Sequence, residues 1–144
     1  MKTISVAPIG CYFSNENRAM GLRPHQHYAT VRLTFETTGP LGFPVFGETV
    51  AALAGVLERL TAAPFRDSTN EDVADSLLAS LCALTSRGRC PSAAVEDAAV
   101  WEAAQGVLAG WGGDYELHAL ELAVMGVPDD IGHSDGFATY RVTR

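Results

Sequence analysis

Apolar and polar side chains alternate with a period of two along the stretch from His27 to Glu36. The odd-numbered positions share one face, which comprises His27, Ala29, Val31, Leu33 and Phe35. This period, together with β-branched residues, is typical of a strand that buries one side. A looser alternation from Thr3 to Phe13 predicts an earlier strand, which Pro8 restricts to an edge or a bulge.

Turn-forming residues separate these strands from the rest of the chain. The polar segment from Ser14 to Pro24 is predicted to be a loop, and the Gly- and Pro-rich segment from Thr38 to Pro44 ends the hairpin. From Thr49 onward the apolar residues recur at helical spacing instead. We therefore expect the strands to give way to helices after the hairpin.

Three helices follow. The first begins near Thr49 and is ended by Pro64, and the second carries an apolar run from Val73 to Leu84. The third is rich in alanine, opens at Pro91 and ends at the glycines that begin with Gly110.

Two further strands are predicted near the end of the chain, from Tyr115 to Val124 and from Phe137 to Val142, with a loop from Gly126 to Gly136 between them. This order of elements predicts an α+β fold, in which an antiparallel four-stranded sheet is backed by helices within a single domain, residues 1–144. Because the edges of such a sheet need covering, we expect the protein to self-associate.

Composition narrows the classes of function. The 144 residues carry a formal net charge of -7, with nine arginines and one lysine, and contain no basic run. A nucleic-acid partner is therefore not expected. The three cysteines lie far apart, and no apolar stretch resembles a secretion signal or reaches membrane-spanning length, so we expect a cytoplasmic protein without a membrane partner.

The entry into the second helix, Asp67 to Asp72, carries the candidate chemistry. Ser68 and Glu71 have the spacing of a capping box, in which a hydroxyl and a carboxylate each satisfy an unpaired backbone N–H. Alternatively, a carboxylate at a helix start can accept hydrogen bonds from an amidine-like edge, such as that of a pterin or guanine ring. Both interpretations of Glu71 are open on this stretch alone.

Five segments resemble dihydroneopterin aldolases in order and spacing. They are Phe13 to Asn17, Gln26, Thr49 with Val50, Asn70 to Ala74, and Ile131 to Gly136. The resemblance runs from Ile4 to Arg144 and is interrupted by one insertion about the third helix. It implies the tunnelling fold with an extra helix before the third strand, assembly into a ring-type homo-oligomer, and active sites at subunit interfaces.

The resemblance also implies a site. Glu71 matches the glutamate that anchors the pterin ring, with Asn70 and Asp72 beside it, and Glu16 matches the acidic residue near the reacting side chain. The family's tyrosine and lysine fall at Ala52 and Met125, which places these two positions in the substrate site but removes both proton-transfer groups. The ordinary aldolase reaction is thereby put in doubt.

Histidines are the candidate replacements. His133, with Asp135 nearby, and His25 are the proposed acid–base residues alongside Glu16. The expected function is therefore that of a dihydroneopterin-aldolase-like lyase or isomerase, acting on a pterin-like or other flat polar molecule without a cofactor. A non-catalytic binding or scaffold homologue is the alternative.

A zinc enzyme is a further alternative. The stretch His25-Gln26-His27-Tyr28 is similar to the HGHxY motif of the zinc-dependent 6-pyruvoyl tetrahydropterin synthases, which share the tunnelling fold. Asn17, however, stands near the place of that family's third zinc histidine. With two of the three ligands present, we expect no metal site.

Overall fold

The structure is a computed structural model that describes residues 2–39, 46–112, 114–125 and 138–144. Within these ranges, four strands and three α-helices follow one another in the order β1 (Lys2–Asn17), β2 (Leu22–Thr37), α1 (Phe46–Leu60), α2 (Asn70–Thr85), α3 (Val95–Ala109), β3 (Tyr115–Val124) and β4 (Ala138–Thr143). The strands form one open sheet in the order β1-β2-β3-β4, and each neighbouring pair is antiparallel. The predicted α+β class, strand number and helix number are confirmed.

The first hairpin is longer than the sequence suggested. The loop predicted from Ser14 to Pro24 is wrong, because β1 continues to Asn17 and β2 begins at Leu22. A single turn of 3-10 helix, Arg18–Met20, joins the two strands, and Gly21 follows it with φ 72°. Residues 14–24 are polar because this end of the hairpin extends past most of the core. Their polarity does not reflect an irregular loop.

One face of the sheet is buried, as the alternation predicted. The core side chains of β2 are Ala29, Val31, Leu33 and Phe35. On β1 the inward positions continue through Ile9, Cys11 and Phe13 to Asn15, which is 2% exposed. The buried face of β1 therefore ends on a polar side chain.

The helices cover this face. α1 packs against β1, and α2 packs against β3 and β4. α3 packs mainly against α1 and less extensively against α2, and Trp101 and Gln105 both donate to the Gly88 carbonyl at 3.0 and 2.9 Å. Within the described ranges, no helix is long and apolar enough to cross a membrane.

Candidate functional site

A cavity of about 410 Å³ lies where the turn end of the β1–β2 hairpin meets the start of α2. It is lined by Asn15, Met20, His25, His27, Thr69, Asn70, Glu71 and Tyr140. We call it the α2-start cavity. Its walls come from β1, β2, α2 and β4, so distant parts of the sequence meet there.

The start of α2 is capped by a different pair from the one predicted. Thr69 is the cap: its hydroxyl accepts from the Asp72 N–H at 3.2 Å, and the Asp72 carboxylate accepts from the Thr69 N–H at 2.8 Å. These hydrogen bonds from Thr69 lower the pKa of Asp72. The predicted Ser68–Glu71 capping box is therefore wrong by one residue, since Thr69 offers the same hydroxyl chemistry one position later.

This shift changes the status of two predicted binding residues. Asp72 is occupied by the capping box, whereas Glu71 has no capping role, is exposed and lines the cavity. The Ser68 hydroxyl instead donates to the Arg66 carbonyl at 2.9 Å. Glu71 can therefore contact a ligand without any cost to the helix start.

A short parallel contact with β1 holds this helix start in place. The Phe65 N–H donates to the Ser14 carbonyl at 2.8 Å, and the Glu16 N–H donates back to the Phe65 carbonyl at 3.0 Å. The Ser68 N–H then donates to the Glu16 carbonyl at 2.8 Å. Glu16 thus acts here through its backbone, and its side chain does not line the cavity.

Asn15 forms the floor of the cavity. Its amide Nδ2 donates to the Ser68 carbonyl at 3.2 Å and to Asn70 Oδ1 at 2.9 Å. Its Oδ1 is buried and has no hydrogen-bond partner among the described residues. Unpaired buried acceptors are uncommon and costly, and they are often found where a ligand binds.

His27 is a second unsatisfied group. Its ring packs against Phe13 at a centroid distance of 5.1 Å and against His25 at 4.3 Å. Both ring nitrogens are buried and lack a partner in the described part of the chain. Burial, and secondarily the nearby His25, lower the pKa of His27, which favours the neutral imidazole.

A hydrogen bond to the backbone carbonyl of Arg23 orients the His25 ring. Its Nδ1 lies 2.6 Å from the Arg23 carbonyl oxygen. Since a carbonyl oxygen can only accept, we assign the ring proton to Nδ1, which leaves the lone pair on Nε2. His25 therefore carries a basic nitrogen on an exposed side chain that lines the cavity.

The structure brings together three of the predicted site residues: Asn70, Glu71 and His25. Ala52 lies on α1 and packs against the core, and Met125 follows β3 with 42% exposure, so neither lines this cavity. His133 lies outside the described residues. The cavity also has five lining residues that were not predicted as site residues: Asn15, Met20, His27, Thr69 and Tyr140.

The two neighbouring histidines do not by themselves complete a metal site. Across the residues that the structure describes, no group of three His, Cys, Asp or Glu side chains is arranged to hold a metal ion. Comparison of the chain with protein-family models, with curated proteins and with solved structures gives no match. The case for a function therefore rests on the chain's own residues.

Proposed function

We propose that the chain is a dihydroneopterin-aldolase-like enzyme of the tunnelling fold, a lyase or isomerase that binds a pterin-like or other flat polar molecule in the α2-start cavity. One observation carries the proposal. Asn70, Glu71 and His25, chosen from the sequence, line one cavity together with the unpartnered buried oxygen of Asn15. The fold is α+β with a four-stranded antiparallel sheet, which is compatible with the tunnelling fold.

The polar groups of the cavity suit a ring edge that carries N–H donors. The Glu71 carboxylate offers two acceptor oxygens and Asn15 Oδ1 offers another. A ligand with an amidine-like edge supplies matching donors, and pairing the buried Asn15 oxygen removes the free-energy cost of leaving it unsatisfied. This is the recognition chemistry of a pterin or guanine ring.

The same cavity contains a base for the reaction. His25 lines the cavity with its ring proton on Nδ1, and the free lone pair on Nε2 can accept a proton from a bound molecule. His25 takes over part of the proton transfer that the resemblance assigns to the residues replaced by Ala52 and Met125.

Assembly belongs to the same proposal. The outer edges of β1 and β4 have no partner strand among the described residues, and a ring-type homo-oligomer would cover them. Such a ring would also bring residues of a second copy, including Glu16, Ala52 or Met125, near this cavity. Light scattering is expected to show a homo-oligomer, and a stable monomer at the same concentration would count against the tunnelling fold.

The test of function is binding and turnover of dihydropterins. We expect hydroxymethyldihydropterin to bind. Dihydroneopterin should release glycolaldehyde at a rate about a hundred- to ten-thousand-fold below that of an ordinary aldolase, because two acid–base groups that contribute about that factor each are lost and other side chains compensate for them only in part. Release at the ordinary rate would show that the positions of the lysine and tyrosine were misplaced. Absence of pterin binding would overturn the proposal.

A non-catalytic binding protein is the second candidate, and the loss of the lysine and tyrosine at Met125 and Ala52 favours it. This alternative predicts pterin binding with no glycolaldehyde release even when the protein is in excess over the substrate. Incubation for many hours with a sensitive aldehyde assay separates the two candidates.

A further inference from the structure

We propose that Tyr140 is the proton donor of the α2-start cavity. This inference rests on the function proposed above and adds to it a residue that neither the sequence pattern nor the resemblance indicated. Tyr140 lies on β4 opposite Leu122 of β3, is half-buried and lines the cavity.

The direction of the hydrogen bonds around Tyr140 supports this role. Asn70 Nδ2 lies 3.5 Å from the Tyr140 hydroxyl oxygen and donates to it. The Asn70 amide faces this way because its Oδ1 is taken up by Asn15, whose Nδ2 also donates to the Ser68 carbonyl. The hydrogen bonds run from Asn15 to Asn70 and from Asn70 to Tyr140. In each amide, therefore, Nδ2 is the donor to the next residue.

The consequence concerns the phenol proton. The Tyr140 oxygen accepts from Asn70, and no described residue accepts the proton of its hydroxyl. That proton is free to be donated to a molecule in the cavity. The chain thus offers a phenol at this site, although Ala52 stands where the resemblance places the family's tyrosine.

The cavity then contains a base and an acid. For a dihydropterin with a polyhydroxylated side chain, His25 Nε2 takes the proton of the side-chain hydroxyl, and the carbon that bears this oxygen becomes the carbonyl of the released aldehyde. The carbon–carbon bond toward the ring breaks, and its electron pair moves into the ring. The carbon that stays on the ring takes a proton from the Tyr140 oxygen. Solvent then returns a proton to Tyr140 and removes one from His25, so protons balance over the cycle.

The direct test is Tyr140→Phe, which removes one oxygen and keeps the ring. With protein in excess over dihydroneopterin, glycolaldehyde release is expected to fall about a hundredfold or more. Binding of hydroxymethyldihydropterin, followed by its fluorescence, is expected to change by less than about threefold. The matched control is Tyr12→Phe, because Tyr12 is 61% exposed and lies outside the cavity, and this variant is expected to behave as wild type.

A second variant tests the positioning residue. With the substrate fully bound, Asn70→Ala is expected to slow the cleavage step in the wild-type background but to cause no further loss when Tyr140 is already Phe, because Asn70 acts on that step through the phenol. Additive losses from the two substitutions would contradict this chain of hydrogen bonds.

The outcomes separate this inference from the function on which it rests. If wild type binds and cleaves but Tyr140→Phe cleaves equally fast, Tyr140 is not the donor and the proposed function stands. If binding falls as much as the rate, Tyr140 is a binding residue and the inference is wrong. If wild type neither binds nor cleaves dihydropterins, the proposed function and this inference fall together.

Discussion

The two ends of α2 each adjoin a cavity of similar size, but their polar groups differ. The cavity at its start has a volume of about 410 Å³, and the one at its end about 430 Å³. The second is lined by Glu36, Thr37, Thr38, Thr85, Arg87, Asp114, Tyr115 and Glu116. We call it the α2-end cavity.

The buried hydroxyl groups of the α2-end cavity are paired within the protein. Thr37 Oγ1 donates to the Asp114 carbonyl at 2.6 Å, and the Tyr115 hydroxyl donates to the Leu108 carbonyl at 2.8 Å. At the α2-start cavity, the Asn15 oxygen and both His27 nitrogens have no such partner among the described residues. Volume therefore does not distinguish the two cavities, whereas unsatisfied buried polar atoms do.

Asn15→Leu is expected to have the largest effect on binding. The substitution removes the buried acceptor at nearly constant volume, so hydroxymethyldihydropterin should bind about a hundredfold more weakly. The free energy of unfolding should also fall, by about 1 to 3 kcal/mol, because the Ser68 carbonyl and Asn70 Oδ1 lose their donor. Fluorescence titration and urea unfolding measure the two quantities.

The matched variant at the other end is Thr37→Val. There the lost hydroxyl is fully paired, so the free energy of unfolding should fall by about 1 kcal/mol while binding is unchanged. An equal loss of binding in both variants would remove the distinction between a binding end and a structural end.

Glu71→Gln is expected to weaken binding by about tenfold, because an amide opposes one donor of the ring edge with its own donor. The melting temperature should hardly move, since Thr69 and Asp72 cap the helix.

Glu116→Gln, in the α2-end cavity, should leave binding unchanged. Asp72→Ala should show the reverse pattern, with a lower melting temperature and unchanged binding per folded molecule. A drop in stability without loss of binding in Glu71→Gln would contradict the site.

The smallest expected effect concerns pH and His27. Because burial and His25 lower its pKa below the ordinary value of 6.5, the folded state binds this proton less readily than the unfolded state. Its contribution to stability is therefore full above about pH 6.5 and is lost as the pH falls toward the folded pKa. The titratable groups that line the cavity with it are His25, Glu71 and Tyr140.

Urea unfolding at a series of pH values measures this dependence. His27→Gln should remove it, whereas His118→Gln should retain it, because His118 lies near Glu36 at the other end of the sheet. A dependence of the same size in His27→Gln would assign it to another group.

Periodicity predicted the parts of the fold that local sequence determines. β3 was predicted with its observed bounds, Tyr115–Val124, and the buried face of β2 was predicted residue by residue. The segment after Phe13 was mistaken for a loop because its residues are polar, although Asn15 continues the inward alternation of Ile9, Cys11 and Phe13. The position of Asn15 on the inward face of this alternation is the signal that identifies the segment as part of a strand.

The site was predicted only in part, because its walls are set by tertiary contacts. Tyr140 and Asn70 are 70 residues apart in the chain, and no local pattern links them. The capping pair was misplaced because Ser68 and Thr69 are adjacent hydroxyl residues, each followed three positions later by an acidic residue. The Ser68 N–H donates to the Glu16 carbonyl, and this contact fixes the position of Ser68. Because the contact is long-range, the local sequence does not show which of the two pairs forms.

The irregularity of β1 also limits how another chain can add to the sheet. Its pairing register with β2 shifts between Val6 and Ile9, and Pro8, which lies in this interval, has no N–H to donate. A strand added along this edge can follow one regular register over Lys2 to Val6 or over Ile9 to Asn15, but not over both. The interruption therefore favours a short, specific contact between copies and opposes the long uninterrupted pairing from which fibrils grow.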